Sequence, residues 1–149
     1  MPANRIFHRL IGARMPSIGW AQSRPADAQR GVYLGLIHAL ASTKYGRELG
    51  ILKSMDVAKR KDFVRSVPIV TYDELKPWIE RSRNGEPSVL WPGMTKWFAQ
   101  SSGTTSDQFK WLPITSEALH ECHYKGGKDL LAQFCHQVPA AQLLSLIHI

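Results

Sequence analysis

"KWFAQSSGTTSDQFKWLPIT" (residues 96–115) sets a run of small hydroxylated residues, Ser101-Ser102-Gly103-Thr104-Thr105-Ser106, between two segments rich in aromatic and β-favouring residues. The flanks, Thr95 to Ala99 and Phe109 to Ile114, are predicted strands. A plain connection between strands needs only a turn, which Gly103 or Asp107 alone supplies. Five hydroxyls around a glycine supply more. Hydroxyl and backbone N–H donors, on a chain free to take positive φ, make a concave cradle for phosphate oxygens. Lys110, just beyond the run, adds a cation. The run is not a Walker loop, because no Gly-Lys-Ser/Thr follows at the spacing of G-x-x-x-x-G-K-[ST]. By composition alone such a run is more often a solvated loop than a nucleotide site, so its neighbours decide.

Upstream, helical patterns dominate. Residues 3–14 place Ile6, Phe7, Leu10 and Ile11 on one helical side, an amphipathic packing helix or, being acid-free and containing arginines, an organellar transit peptide. "MPSIGWAQSRP" (15–25) then breaks the periodicity. From Asp27, a candidate cap, Val32, Leu36, Ile37 and Leu40 recur at helical spacing until Gly46. A shorter helix is predicted from Ser54 to Ser66, and residues 67–70, "VPIV", are extended. Thr71 precedes Glu74 by three, a capping box that opens a helix with Leu75, Trp78 and Ile79 on its apolar face, Pro77 in its first turns and Gly85 as its stop. After the two strands, Ser116 opens a last helix. Strands alternate with helices, which makes the expected fold class α/β or α+β.

Composition narrows the function classes. The 149 residues are 44% hydrophobic and 21% charged, the make-up of one ordinary globular domain. No 18-residue apolar run exists, and Arg5, His8, Arg9 and Arg14 interrupt any secretory core at the start. A soluble cytoplasmic protein is therefore expected. The net charge of +7 is concentrated in residues 1–70, which hold 12 Lys and Arg against 4 acids. A small basic RNA-binding or interaction module, with the hydroxyl run as a mere structural turn, is the alternative this raises. Only Lys59-Arg60-Lys61 is a cluster, however, and no aromatic residues interleave it, so neither a nucleic-acid nor a membrane partner is expected. Cys122 and Cys135 are too few for a disulfide framework and stand alone on one predicted helix, so with His120, His123 and His136 they lack the paired spacing of a zinc site, and no metal site is expected.

Several stretches together carry a resemblance. Ser101 to Ser106 with Lys110 resembles the first ATP motif of the adenylate-forming enzyme superfamily. "TKYG" (43–46), "VPIVTYDELKPWIERSRNGEPSVLWPG" (67–93), "SSGTTSDQFKWLPIT" (101–115) and "LHECHYKGGKDLL" (119–131) resemble the auxin-responsive (Gretchen Hagen) family of acyl-acid amido synthetases, particularly its bacterial members. The resemblance spans roughly residues 30–143. It implies the α/β large domain of an adenylate-forming enzyme, truncated to its N-terminal part. The implied activity is ATP-dependent conversion of a carboxylic acid to an acyl-adenylate, followed by conjugation to an amine or amino acid, with ATP and Mg²⁺ as cofactors. It also implies that Ser101, Ser102, Thr104, Thr105 and Ser106 donate to ATP phosphates, that Gly103 permits the turn, and that Lys110 balances charge. The chain departs from the family pattern at Ser106-Asp107, where many members carry a second glycine.

On the last helix, His120, His123 and Tyr124 project together, and the resemblance makes His123 and Tyr124 walls of the acyl-acid pocket, against the alternative of a packed core face. No residue is identified as a catalytic acid, base or nucleophile. The final residues, Leu144 to Ile149, equal one reading frame of a transposon adapter, CTG TCT CTT ATA CAC ATC, or else are a natural β-like end. Residues 1–143 are thus expected to be an N-terminal fragment of the acyl-adenylating domain, inactive by itself, and 144–149 a non-native tail.

Overall fold

Thr43 is wholly buried, and its hydroxyl explains why the chain turns where it does. In the computed structural model, which describes residues 2–51, 63–65, 67–101 and 109–139, this hydroxyl donates to the Leu40 carbonyl at 2.7 Å and accepts the Gly46 N–H at 2.9 Å. One side chain thereby ends helix α3 (Pro25–Ala41) and caps α4 (Lys44–Glu48). The first two N–H groups of α4, from Lys44 and Tyr45, donate to the carbonyls of Ser88 and Val89 at 2.8 and 3.1 Å. The helix start is thus anchored to a distant loop. Gly46 packs so closely on α3 that a Cβ there would lie 1.9 Å from the Leu40 carbonyl oxygen, so the position admits no side chain.

The chain divides into two compact units, Met1–Ala28 with Glu117–Ile149, and Gln29–Ser116. In the second unit, Ile37, Ala41, Ile51, Ile79, Val89, Thr43 and Ser82 are buried. Helix α5 (Tyr72–Arg83) organises it. The capping box is present as expected: the Glu74 carboxylate accepts from the Thr71 N–H at 2.6 Å and from its hydroxyl at 2.8 Å, while the Glu74 N–H reaches the Thr71 hydroxyl at 3.4 Å. Those bonds from Thr71 hold the Glu74 carboxyl below the usual range. Gly85, at φ 83°, follows the helix as expected. Pro77 lies in the first turns as expected, but as the sixth residue of the helix it is past the unpaired first-turn N–H groups, so its missing N–H removes a bond to the Asp73 carbonyl.

The far end of α5 is clasped to α4. The Glu86 carboxylate accepts from Arg81 at 2.7 and 2.8 Å and from Lys44 at 2.6 Å. These two cations, Arg81 first, hold the Glu86 carboxyl at about 2. Tyr45 and Trp78 meet edge to face at 5.1 Å, and the Arg81 guanidinium lies over Trp78 at 4.5 Å. Beyond, the loop to the strands is closed on itself, with the Ser88 N–H donating to the Gly93 carbonyl and the Gly93 N–H to the Ser88 hydroxyl. An antiparallel hairpin of β1 (Trp97–Gln100) and β2 (Trp111–Ile114) follows.

In the first unit, α1 (Pro2–Gly12) and α2 (Met15–Ser23) pack on α6 (Lys125–Gln137), where Ala132 and Cys135 are buried. Arg14 pairs with Asp129 at 2.6 Å, which raises the arginine's pKa. A π-helical segment, Ala118–Tyr124, precedes α6.

Several expectations are corrected. The described residues are mostly helical, and the hairpin is their only sheet; residues 67–70, expected to be extended, form no strand, and the Val67 N–H donates to the Phe63 carbonyl four residues back. The stretch 15–25 holds a helix where broken periodicity predicted none, since α2 buries no residue and needs no apolar stripe, while Pro16 suits its first turn. Asp27 lies in the first turn of α3 rather than at its cap. Val32 and Leu36 are exposed, the buried side of α3 being that of Ile37 and Ala41. Ile6 and Leu10 of α1 are likewise exposed. Of the helix expected over Ser54 to Ser66, residues 63–65 are described and are helical. Lys59-Arg60-Lys61 and the tail 144–149 lie outside the described residues. Among the described residues, no helix is long and apolar enough to cross a membrane.

These contacts lead to two stability predictions. Gly46→Ala should cost about 3 kcal/mol, the upper range for forcing volume into a packed site, whereas Gly31→Ala, with open space around its α3 position, should stabilise by about 0.5–1 kcal/mol; urea denaturation of both variants checks the contrast. For Glu86, a pKa lowered from 4.5 to about 2 means a contribution present above pH 4.5 and lost as pH falls to about 2. The gap in denaturation midpoint between the protein and Glu86→Gln should therefore be widest above pH 4.5 and shrink steadily below it.

Candidate functional site

The hydroxyl-rich run lies between the two hairpin strands, so the hairpin's geometry fixes where it starts and ends. Trp97 faces Ile114, Phe98 faces Pro113, Ala99 faces Leu112 and Gln100 faces Trp111. The ladder continues one step further, with the Ser101 N–H donating to the Lys110 carbonyl at 3.0 Å. The strands are therefore shifted from the expected Thr95 to Ala99 and Phe109 to Ile114, because pairing, not residue preference, sets their ends. Ser101 is the first residue of the run and Lys110 faces it directly. The Ser101 N–H is used by this bond. Ser102, Gly103, Thr104, Thr105 and Ser106 lie outside the described residues.

Helix α5 holds β2 from both of its ends. The Tyr72 hydroxyl accepts the Trp111 N–H at 2.8 Å. The Lys110 ammonium lies 5.3 Å from the centre of the Tyr72 ring. At the other end, the Arg83 guanidinium sits 4.4 Å over Trp111 while bonding the Glu80 carboxylate through two contacts at 2.8 Å. Neither Tyr72 nor Arg83 was singled out by pattern; each reads locally as a helix-terminal residue, and only the tertiary contact reveals what it holds. Lys110 is exposed. An exposed cation over an aromatic ring gains only about 0.5–1 kcal/mol, against about 1.5–3 kcal/mol for a charge-assisted hydrogen bond. A charge-assisted hydrogen bond to this ammonium is thus the stronger of the two kinds of contact.

In the other unit, the π-helical segment carries the second group of candidates. Its wider turn is marked by the Lys125 N–H, which donates to the His120 carbonyl five residues back. A regular helix was expected here. The wider turn brings His120 and Tyr124 to 5.6 Å, and His123 and Tyr124 to 5.4 Å, between ring centres. All three rings are exposed in this chain. Glu121 is paired with Lys125 at 3.0 Å, and the ammonium lowers its pKa. Cys122 is exposed and Cys135 is buried, so only the second behaves as the small core residue expected. Segments of this helix type recur at functional sites.

Comparison with known proteins fits the motifs. The GH3 family N-terminal domain matches residues 15–148. A probable indole-3-acetic acid-amido synthetase GH3.7 of Oryza sativa subsp. japonica is 37% identical over 98 residues, covering 63% of this chain and 16% of the rice protein. Indole-3-acetic acid-amido synthetase GH3.3 of Arabidopsis thaliana is 34% identical over 93 residues, covering 61% of this chain and 15% of its own length. A second rice protein, probable indole-3-acetic acid-amido synthetase GH3.1, is 33% identical over 113 residues, or 73% of this chain and 18% of that one. The chain thus spans less than a fifth of the length of these plant relatives. With residues 15–148 of this chain matched by the family's N-terminal domain, and the loop, hairpin and capped helix inside that match, the chain belongs to the GH3 family.

Proposed function

We propose that this chain is the N-terminal part of the α/β large domain of an adenylate-forming, ATP-dependent acyl-acid amido synthetase, cytoplasmic and of the bacterial branch. The branch rests on the spelling of residues 67–93 and 101–115, since the relatives above are plant proteins. The observation that carries the activity is the hairpin mouth, where a hydroxyl run begins at Ser101 and an exposed cation, Lys110, stands directly across from it. This donor and cation suit phosphate oxygens. In the reaction, a carboxylate oxygen of the acid attacks the α-phosphorus of ATP and pyrophosphate leaves; an amine then attacks the acyl carbon and AMP leaves.

Hydroxyls from Ser101, Ser102, Thr104, Thr105 and Ser106 hold phosphate oxygens, Gly103 lets the backbone approach them, and Lys110 meets charge as it shifts onto the leaving pyrophosphate. Mg²⁺ enters with the nucleotide, and no residue of this chain is assigned to it. His123 and Tyr124 contribute to the acyl-acid pocket, which the exposed ring cluster supports. The adenine and ribose contacts are assigned to other parts of the enzyme, so these 149 residues alone are held to be inactive and the tests use a full-length family enzyme carrying them.

The double substitution Thr104→Ala with Thr105→Ala should lower acid-dependent pyrophosphate exchange by one to several powers of ten, from about 1.5–3 kcal/mol per charge-assisted bond at about 1.4 kcal/mol per tenfold. The thermal melt should move little, because surface loop changes stay within about 0.5 kcal/mol. Unchanged exchange with an unchanged melt would remove the phosphate assignment. For the acyl pocket, Tyr124→Ala should raise KM for the acid about tenfold, the worth of one apolar pocket contact, and leave KM for ATP as it was. Equal changes in both constants would take Tyr124 out of the pocket.

A further inference from the structure

We propose that Tyr72 is a positioning residue for Lys110, and so for the phosphates that Lys110 meets; this rests on the phosphate-binding reading of Lys110 given above. The Lys110 carbonyl and the Trp111 N–H belong to one peptide unit, which is planar and turns as a single body. Both of its polar ends are taken. The carbonyl accepts from the Ser101 N–H at 3.0 Å, and the N–H donates to the Tyr72 hydroxyl at 2.8 Å. The peptide plane is pinned from two sides, so the backbone from which the Lys110 side chain departs has one orientation. The same tyrosine then acts a second time, with its ring 5.3 Å from the ammonium, keeping the long side chain on the side of the hairpin that faces α5.

Tyr72 is itself well placed to do this. It is the first residue of α5, directly after Thr71, and the reciprocal bonds between Thr71 and Glu74 fix the helix start. Its ring is half-buried. That ring holds the ammonium more weakly than a phosphate would, so the side chain is directed without being trapped. Tyr72 touches neither nucleotide nor acid; it acts through Lys110.

The test uses a full-length family enzyme with these residues and four variants: Lys110→Met, Tyr72→Leu, Tyr72→Phe and the double Tyr72→Leu with Lys110→Met. Calorimetric affinity for Mg-ATP is measured beside acid-dependent pyrophosphate exchange. Lys110→Met and Tyr72→Leu should each reduce both by about tenfold, the loss of one charge-assisted contact. The double variant should be no worse than Lys110→Met alone, because the tyrosine acts only through the lysine. Tyr72→Phe, which keeps the ring and loses the hydroxyl, should fall between the parent and Tyr72→Leu. Losses that multiply in the double variant, or an unaffected Tyr72→Leu beside a weakened Lys110→Met, overturn the positioning role and leave Lys110 at the phosphates. Wild-type affinity and exchange in Lys110→Met overturn both. Should Tyr72→Leu fail to fold, Tyr72→Phe replaces it in the cycle, and losses that multiply when it is combined with Lys110→Met overturn the positioning role in the same way.

Discussion

Helix α5 begins at Tyr72 and nowhere else, and most of the second unit follows from that. The Thr71 hydroxyl and the Glu74 carboxylate satisfy each other's end of the helix, and no other pair nearby has the right chemistry at the right spacing. Slip the sequence along the helix by one residue and every side chain rotates by about 100° around the axis. Tyr72 would then miss Trp111, Trp78 would leave Tyr45, and Arg81 would lose Glu86. A single hydroxyl and carboxylate therefore set the register for three separate contacts, made by β2, α4 and the turn that follows α5. Their shared dependence on one register makes them cooperative.

How much of this was legible in the sequence varies with the range of the interaction that decides it. The capping box, the glycine stop and the existence of the hairpin were legible because each is settled within a few residues. Helix α2 was not, because none of its own side chains is buried and it leaves no periodic trace. The spacing of Val32, Leu36, Ile37 and Leu40 identified a helix correctly and its inner face only partly, since period alone does not say which neighbours will arrive. The wider turn of Ala118–Tyr124 left no residue signature; a backbone bond five residues back is compatible with the same side chains as one four back.

The candidate site divides in the same way. A dense hydroxyl run with a cation after it was visible as a string of letters, and the family resemblance rested on it. What lay beyond the string was the support. Tyr72 is separated from Trp111 by 39 positions, and nothing in the composition of either segment announces that a phenol will meet that particular N–H. Residues that hold a ligand tend to form motifs, whereas residues that hold those residues are distributed by the fold.

One consequence concerns the direction in which the sheet can grow. Ser101 and Lys110 exchange a ladder bond, so by alternation the Gln100 and Trp111 pair and the Phe98 and Pro113 pair turn their backbone groups outward. On the outer side of β2 the two donors would come from positions 111 and 113. The first is occupied by Tyr72, and the second is a proline with no N–H to give. That margin of β2 presents acceptors without donors, half of what a neighbouring strand requires. The outer side of β1, with the N–H groups of Phe98 and Gln100, has no such defect. The hairpin thus carries a built-in polarity, sealed toward α5 and open to further pairing along Trp97–Gln100.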